Sequence, residues 1–166
     1  MPTCRLLWLN TYMPTDPKRI TEYDDFELQE VLVEVEAILS TCSYTDVIWG
    51  GDINWDMSRV TYFARTMAAF VERLGLVSLW SNYPVRYTYM HTDNKSVSVL
   101  DHFLLSPRLI NLVEECGVVE RGDNLSGHCP IWVRLKLGAL PIKQGSSSWI
   151  PRKPSWSKAT QEHVAQ

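Results

Sequence analysis

Three short polar stretches carry the residues able to do chemistry: "GGDIN" with Asp52 and Asn54, "VLDHFLLS" with Asp101, and "SGH" with His128. An Asp and an Asn two apart on extended backbone point the same way. The carboxylate can orient a water or a metal ion, and the amide can donate to a phosphate oxygen. An Asp with a sequence-distant His is a common arrangement for orienting and polarising an imidazole. Each residue alone also has a plain reading. Asp52 after two glycines is a turn residue, Asn54 a turn or cap residue, and His128 before Cys-Pro a loop histidine. Asp101 interrupts an apolar run, where an unpaired carboxylate would be costly, so it needs a partner, catalytic or structural. His91 and His102 read as structural or surface residues.

The elements that must position these groups follow from the apolar pattern. "RLLWLNTYMP" (5–14) reads as a buried strand ending at Pro14, followed by a turn at "TDPKR". From Ile20 to Thr41, the residues Phe26, Leu28, Val31, Leu32, Val35, Ile38 and Leu39 fall at helical spacing, with Thr21 and Asp24 at its start. "TDVIWGGDIN" (45–54) reads as a short strand running into a Gly-Gly-Asp turn. Ser58 can cap a second helix with Val60, Phe63, Met67, Phe70, Val71 and Leu74 on one face and Gly75 as its stop. "VRYTYMH" (85–91) and "SVSVLDHFLLS" (96–106) read as strands joined by a polar turn at "TDNK". "RLINLVEEC" after Pro107 reads as a helical patch, and "CPIWVRLKL" (129–137) as a strand with Ile131, Val133, Leu135 and Leu137 on one face. Strands alternating with helices predict an α/β layered domain. Open α/β sheets tend to place their sites at strand C-terminal ends, where the three polar stretches lie. Residues 1–140 form the domain. The Ser-, Pro- and Lys-rich stretch 141–166 reads as a linker, with "KPSWSKATQEHVAQ" able to begin a helix belonging to something downstream.

Length and composition fit one globular domain: 166 residues, 45% hydrophobic and 21% charged. No 18-residue apolar run predicts a transmembrane helix, and the N-terminus lacks a signal peptide's basic leader and cleavage site. The net charge of −3 argues against a dedicated non-specific nucleic-acid binder, but not against an enzyme whose carboxylates hold metal ions. Cys4, Cys42, Cys116 and Cys129 form no CxxC pair, which argues against zinc and for free thiols acting as small apolar fillers in a reducing compartment.

In order and spacing, "NTYMP", "GGDIN", "SVLDHFLLS" and "SGHCPIWV" resemble the later motifs of the endonuclease/exonuclease/phosphatase superfamily (N-x-Y-x-P, G-D-x-N, S-x-I-D-[YH]-[IF] and S-D-H) across about residues 5–137. That superfamily includes apurinic/apyrimidinic endonucleases, DNase I-like nucleases, sphingomyelinases and inositol phosphatases. "KPSWSKATQEH" after the domain resembles the segment between the endonuclease domain and the reverse transcriptase of LINE-type (non-LTR) retrotransposons, as does "TYMHTDNKSVSVLDHFLLSPRL". That resemblance makes 141–166 a linker towards a reverse-transcriptase-like region. The resemblance implies a DNase I-like α/β sandwich, in which two packed mixed β-sheets are flanked by helices, here in part only. It implies Mg²⁺-dependent phosphodiester cleavage, with DNA as substrate and an intracellular, nuclear or cytoplasmic, setting.

Carried over residue by residue, the resemblance makes Asp52 the aspartate that orients the attacking water and binds the metal. Asn54 becomes the phosphate contact, Asp101 the partner of the catalytic His128, Tyr12 a phosphate hydrogen-bonder, and Asn10 the motif's asparagine. Ser126 matches the serine beside the histidine. Two departures weaken the expected site. Gly127 stands where the family has aspartate. The family's N-terminal strands, with their metal-binding glutamate, have no counterpart before "CRLLWLNTYMP", so the chain matches roughly the C-terminal two-thirds of the family domain. Glu22, Glu27 and Glu30, on the predicted helix, do not replace that glutamate. Such a chain is expected to bind Mg²⁺ poorly and to expose sheet surface that a partner would cover. A lipid or inositol phosphate phosphodiesterase and an inactive binding remnant are the alternatives.

Overall fold

The computed structural model describes residues 5–16, 22–91, 96–120 and 126–139, with the backbone alone at 22–25. Thr21 and the side chain of Asp24 at the helix start, most of the "TDPKR" turn, the "TDNK" turn and the stretch 141–166 lie outside the described residues. In chain order the elements are β1 (Leu6–Tyr12), α1 (Glu22–Thr41), β2 (Asp46–Asp52), α2 (Tyr62–Arg73), β3 (Val77–Ser78), α3 (Leu79–Asn82), β4 (Tyr89–Met90), β5 (Val97–Ser98), β6 (Asp101–Leu105), α4 (Pro107–Ile110), β7 (Val113–Val118) and β8 (Ile131–Leu135). Among the described residues no helix is long and apolar enough to cross a membrane.

A mixed sheet in the order β1-β2-β6-β3 forms the centre, with β1 parallel to β2 and β6 antiparallel to both β2 and β3. Because side chains alternate across a strand, its two faces carry two cores. On one face Leu9, Val47, Trp49 and Leu104 pack against Leu28, Leu32, Val35 and Leu39 of α1 and Phe63, Met67, Phe70 and Val71 of α2. On the other face Ile48, Phe103 and Leu105 pack with Leu79, Trp80 and Leu109, and the antiparallel β7–β8 pair closes over them through Val113, Cys116, Ile131, Val133 and Leu135. The result is the mixed α/β sandwich expected, with helices outside and sheet packed on sheet.

Several local expectations are corrected. β1 is not fully buried: Trp8 is 60% and Tyr12 71% exposed, because β7–β8 covers only the inner strands of that face. Gly50, Gly51 and Asp52 belong to β2 rather than to a turn, since all three pair with β1 and β6. The second helix starts at Thr61, not Ser58. Thr61 Oγ1 accepts from the Ala64 amide at 3.1 Å, while the Ser58 hydroxyl donates to Asp56 instead. Val60, before the start of α2, is consequently exposed, and on α1 Phe26 and Ile38 are exposed rather than on the core face. The run after Pro107 that reads as helical is one helical turn and then β7, because pairing with β8 outweighs its local pattern. The two expected strands around 85–106 shorten to β4 and β5, which do pair antiparallel, and β6 leaves them for the central sheet. Cys42 is exposed rather than an apolar filler, and Cys116 and Cys129 are half-buried free thiols.

Candidate active site

The site is one row across three strands. Tyr12 pairs with Asp52, and Asp52 pairs with Asp101, so their side chains leave the same sheet face at the same end. Gly51 makes this row possible. Its φ of +136° favours glycine, and a Cβ there would lie 2.0 Å from the Thr11 carbonyl oxygen. Asp101 is held at the mouth of β6 by buried Thr88, whose Oγ1 accepts from the Leu100 and Asp101 amides at 2.9 Å each.

His128 arrives from the far loop and is clipped to β4. The Met90 amide donates to the Gly127 carbonyl at 2.8 Å, and the Cys129 amide to the Thr88 carbonyl at 2.7 Å. The His128 ring then spans the two carboxylates. Nδ1 lies 3.0 and 3.2 Å from the oxygens of Asp101, and Nε2 lies 3.6 Å from Asp52 Oδ2. Like charges directly opposite on neighbouring strands repel, and the imidazole between them offsets that repulsion. Burial raises the pKa of Asp52; the charge of His128 opposes this, the Asp101 charge adds to it, and a hydrogen bond from the Asn54 amide opposes it.

Asn54 is buried and does not continue an extended strand: its φ is +51°. The expectation that Asp52 and Asn54 project side by side from extended backbone is therefore corrected. The turn instead folds Asn54 back, so that its N–H donates to Asp52 Oδ1 at 3.2 Å and its Nδ2 donates to the Met13 carbonyl at 2.8 Å. Ser126 Oγ accepts from the His128 amide at 3.1 Å, which shapes the loop. Glu27 and Glu30 lie on α1 and take no part in the cleft.

An open cleft of about 280 Å³ lies over this row, lined by Tyr12, Asp52, Asn54 and His128. Asn10, an exposed β1 residue, is not among its lining residues. Thr15, Asp16, Arg59, Tyr89, His91 and Leu100 also line it, and sequence reasoning singles out none of them for the site. Asp16 accepts from Thr61 Oγ1 at 2.9 Å, while its other oxygen is buried without a hydrogen-bond partner. Arg59 stands beside it, 3.9 Å from Asp16 and 3.7 Å from Asp56, and donates to Ser98 Oγ at 3.2 Å. Only the turn spacing "NTYMPTD" and the nearness of Arg59 to "GGDIN" hint at these two. Asp52, Asp101 and His128 bring ligand atoms within 4.8 Å of one another, a spacing able to hold a metal ion.

No protein-family model and no curated protein sequence matches the chain. Solved structures do. An AP endonuclease from Archaeoglobus fulgidus superposes with a TM-score of 0.66 at 19% identity, covering 79% of this chain and 62% of that one. The 3′ phosphatase NExo from Neisseria, bound to product DNA hairpin, gives 0.62 at 15% identity, covering 77% and 60%. The endonuclease domain of TRAS1, a telomere-specific non-LTR retrotransposon, gives 0.54 at 16% identity, covering 66% and 52%. The chain spans about three fifths of the length of the first two. It has the DNase I-like fold of these proteins.

Proposed function

We propose that this chain hydrolyses phosphodiester bonds in DNA with the help of a divalent cation, as part of a retrotransposon-type nuclease acting in the nucleus or cytoplasm, and that alone it does so weakly. The observation that carries the reading is His128 held between Asp101 and Asp52, with Nδ1 3.0 Å from Asp101 and Nε2 3.6 Å from Asp52. A histidine so placed keeps a fixed tautomer and presents its other nitrogen to the cleft.

The donor set fits Mg²⁺ thinly. Mg²⁺ takes oxygen ligands and makes do with one or two carboxylates, completed by water and substrate phosphate. Asp101 is turned to His128, which leaves Asp52 as the carboxylate able to hold the ion. Bound there, the cation would polarise the phosphate and acidify the attacking water.

The chain's own residues supply the rest. Asp52 orients the attacking water. His128, anchored by Asp101, stabilises the negative charge that builds on the phosphoryl oxygens. Asn54, pinned through Met13, and the Tyr12 hydroxyl fix the phosphate by hydrogen bonds. Arg59, the one arginine lining the cleft among the described residues, holds the phosphate's charge against Asp16 and Asp52. Weak activity follows from the single available carboxylate. The exposed side chains of Leu6, Trp8 and Tyr12 on β1 offer a surface for further chain or a partner that completes the site.

The test is nicking of supercoiled plasmid by folded chain in Mg²⁺, beside EDTA and His128→Ala. Slow nicking that needs the metal, and that falls at least about 100-fold in His128→Ala, is expected. No nicking, or nicking indifferent to either control, overturns the reading.

A further inference from the structure

Position 127 poses a steric question that the chemistry alone leaves open. A Cβ built on Gly127 would lie 2.7 Å from Cε2 of Tyr89 and 2.8 Å from the Met90 carbonyl oxygen, both closer than Cβ atoms approach other heavy atoms. Neither neighbour is free to give way. The Met90 backbone is tied to this same residue, its amide donating to the Gly127 carbonyl at 2.8 Å. The Tyr89 ring is wedged between two imidazoles, 4.8 Å from His91 at 80° and 4.6 Å from His128 at 51°.

We infer that Tyr89 is the positioning residue for His128, and that glycine at 127 is the condition for its being there. Tyr89 and His128 lie opposite each other as an isolated antiparallel bridge. The imidazole is therefore held both at its edges and on its face. Asp101 and Asp52 hold the Nδ1 and Nε2 edges, and the Tyr89 ring lies against the ring itself. The carboxylates alone leave a side chain that is 35% exposed able to tilt about the line between them, and the Tyr89 ring blocks that tilt.

A side chain at 127 and the ring of Tyr89 are thus alternative occupants of one space. Gly127 is part of a rebuilt site, and replacing it with aspartate would expel the ring rather than repair the cleft. The catalytic half of this inference rests on the nuclease reading; the positional half does not.

The experiment pairs imidazole NMR with nicking kinetics. In the wild type, the His128 Nδ1 proton is expected as a resolved, slowly exchanging signal with Overhauser contacts to the Tyr89 ring. Tyr89→Leu is expected to keep the amide spectrum of a folded chain, lose the Nδ1 signal, and lower kcat about tenfold with KM unchanged. Tyr89→Phe, which keeps the ring, is expected to restore both. Gly127→Ala is expected to abolish the Overhauser contacts between the two rings, and this arm decides the matter by itself if Tyr89→Leu does not fold. An Nδ1 signal unchanged in Tyr89→Leu, or ring contacts intact in Gly127→Ala, overturns the inference. If the wild type shows the signal but does not nick, the functional reading fails and the positional one stands.

Discussion

A carboxylate in an apolar strand demands a partner, and that demand makes Asp101 legible in the sequence. Its partner is the one histidine whose sequence neighbourhood points to a site. Asp52 and Asn54 are legible as to residue type but not as to conformation. Two glycines suggest a turn, yet they serve a strand that passes too close to β1 for any side chain at Gly51. The other cleft residues are not legible, because what recruits Tyr89, Asp16 and Arg59 is tertiary contact with no spacing in the chain. Arg59 yields a prediction at this scale. Its guanidinium is held by ion-pair distances of 3.7 and 3.9 Å and one hydrogen bond, which leaves N–H groups for a phosphate. Arg59→Gln is expected to raise KM for DNA about tenfold with little change in kcat, and to flatten the salt dependence of binding. Steady-state nicking at two salt concentrations checks it; an unchanged KM assigns the phosphate to other groups.

Among the elements, long periodic segments are legible and short ones are not. α1 and the core face of α2 follow their helical spacing, because each buries a stripe of side chains, Leu28, Leu32, Val35 and Leu39 on α1, although Phe26 and Ile38 of the expected α1 face stay exposed. The start of α2 lies three residues beyond the expected cap, since Asp56 captures the Ser58 hydroxyl and leaves Thr61 to cap. β7 reads as helix because "LVEEC" satisfies either period, and only its partner β8 decides. The β1–β2 contact is the element-scale weak point. Gly51→Ala would place a methyl 2.0 Å from the Thr11 carbonyl at a φ of +136°. A loss of at least about 3 kcal/mol is expected from strain and overpacking together, measured by urea denaturation. A loss under about 1 kcal/mol would mean that the strands can part cheaply there.

At the scale of the whole molecule, two cores meet back to back through β2 and β6, and one buried titratable side chain lies at their seam. His102 is fully buried, with Nε2 donating to the Trp55 carbonyl at 2.6 Å and Nδ1 3.4 Å from the Ser78 hydroxyl. Burial lowers its pKa from the ordinary 6.5, against smaller opposing contributions from the Trp55 and Val99 carbonyls, Asp101 and Asp56. The unfolded chain therefore takes up a proton that the folded one refuses. This histidine's contribution to stability is complete above pH 6.5 and is lost as pH falls through the lower folded value, by at most about 1.4 kcal/mol per pH unit. Urea midpoints at pH 7.5 and 5.5 check it: His102→Gln should narrow the difference between them, and an unaltered difference would place the proton uptake elsewhere. The α/β layering is legible in the sequence. The open flank of β1 is not, because apolar content does not say which face a neighbour will cover. The row Tyr12–Asp52–Asp101 has a kinetic consequence. A slip of one residue in β2 would turn its aspartate to the helical side. The site cannot half-form while the sheet is misregistered. During refolding, the approach of Asp52 to His128 Nε2, 3.6 Å apart in the folded chain, is then a clock for correct pairing of β2 with β6, started by dilution and read without any substrate.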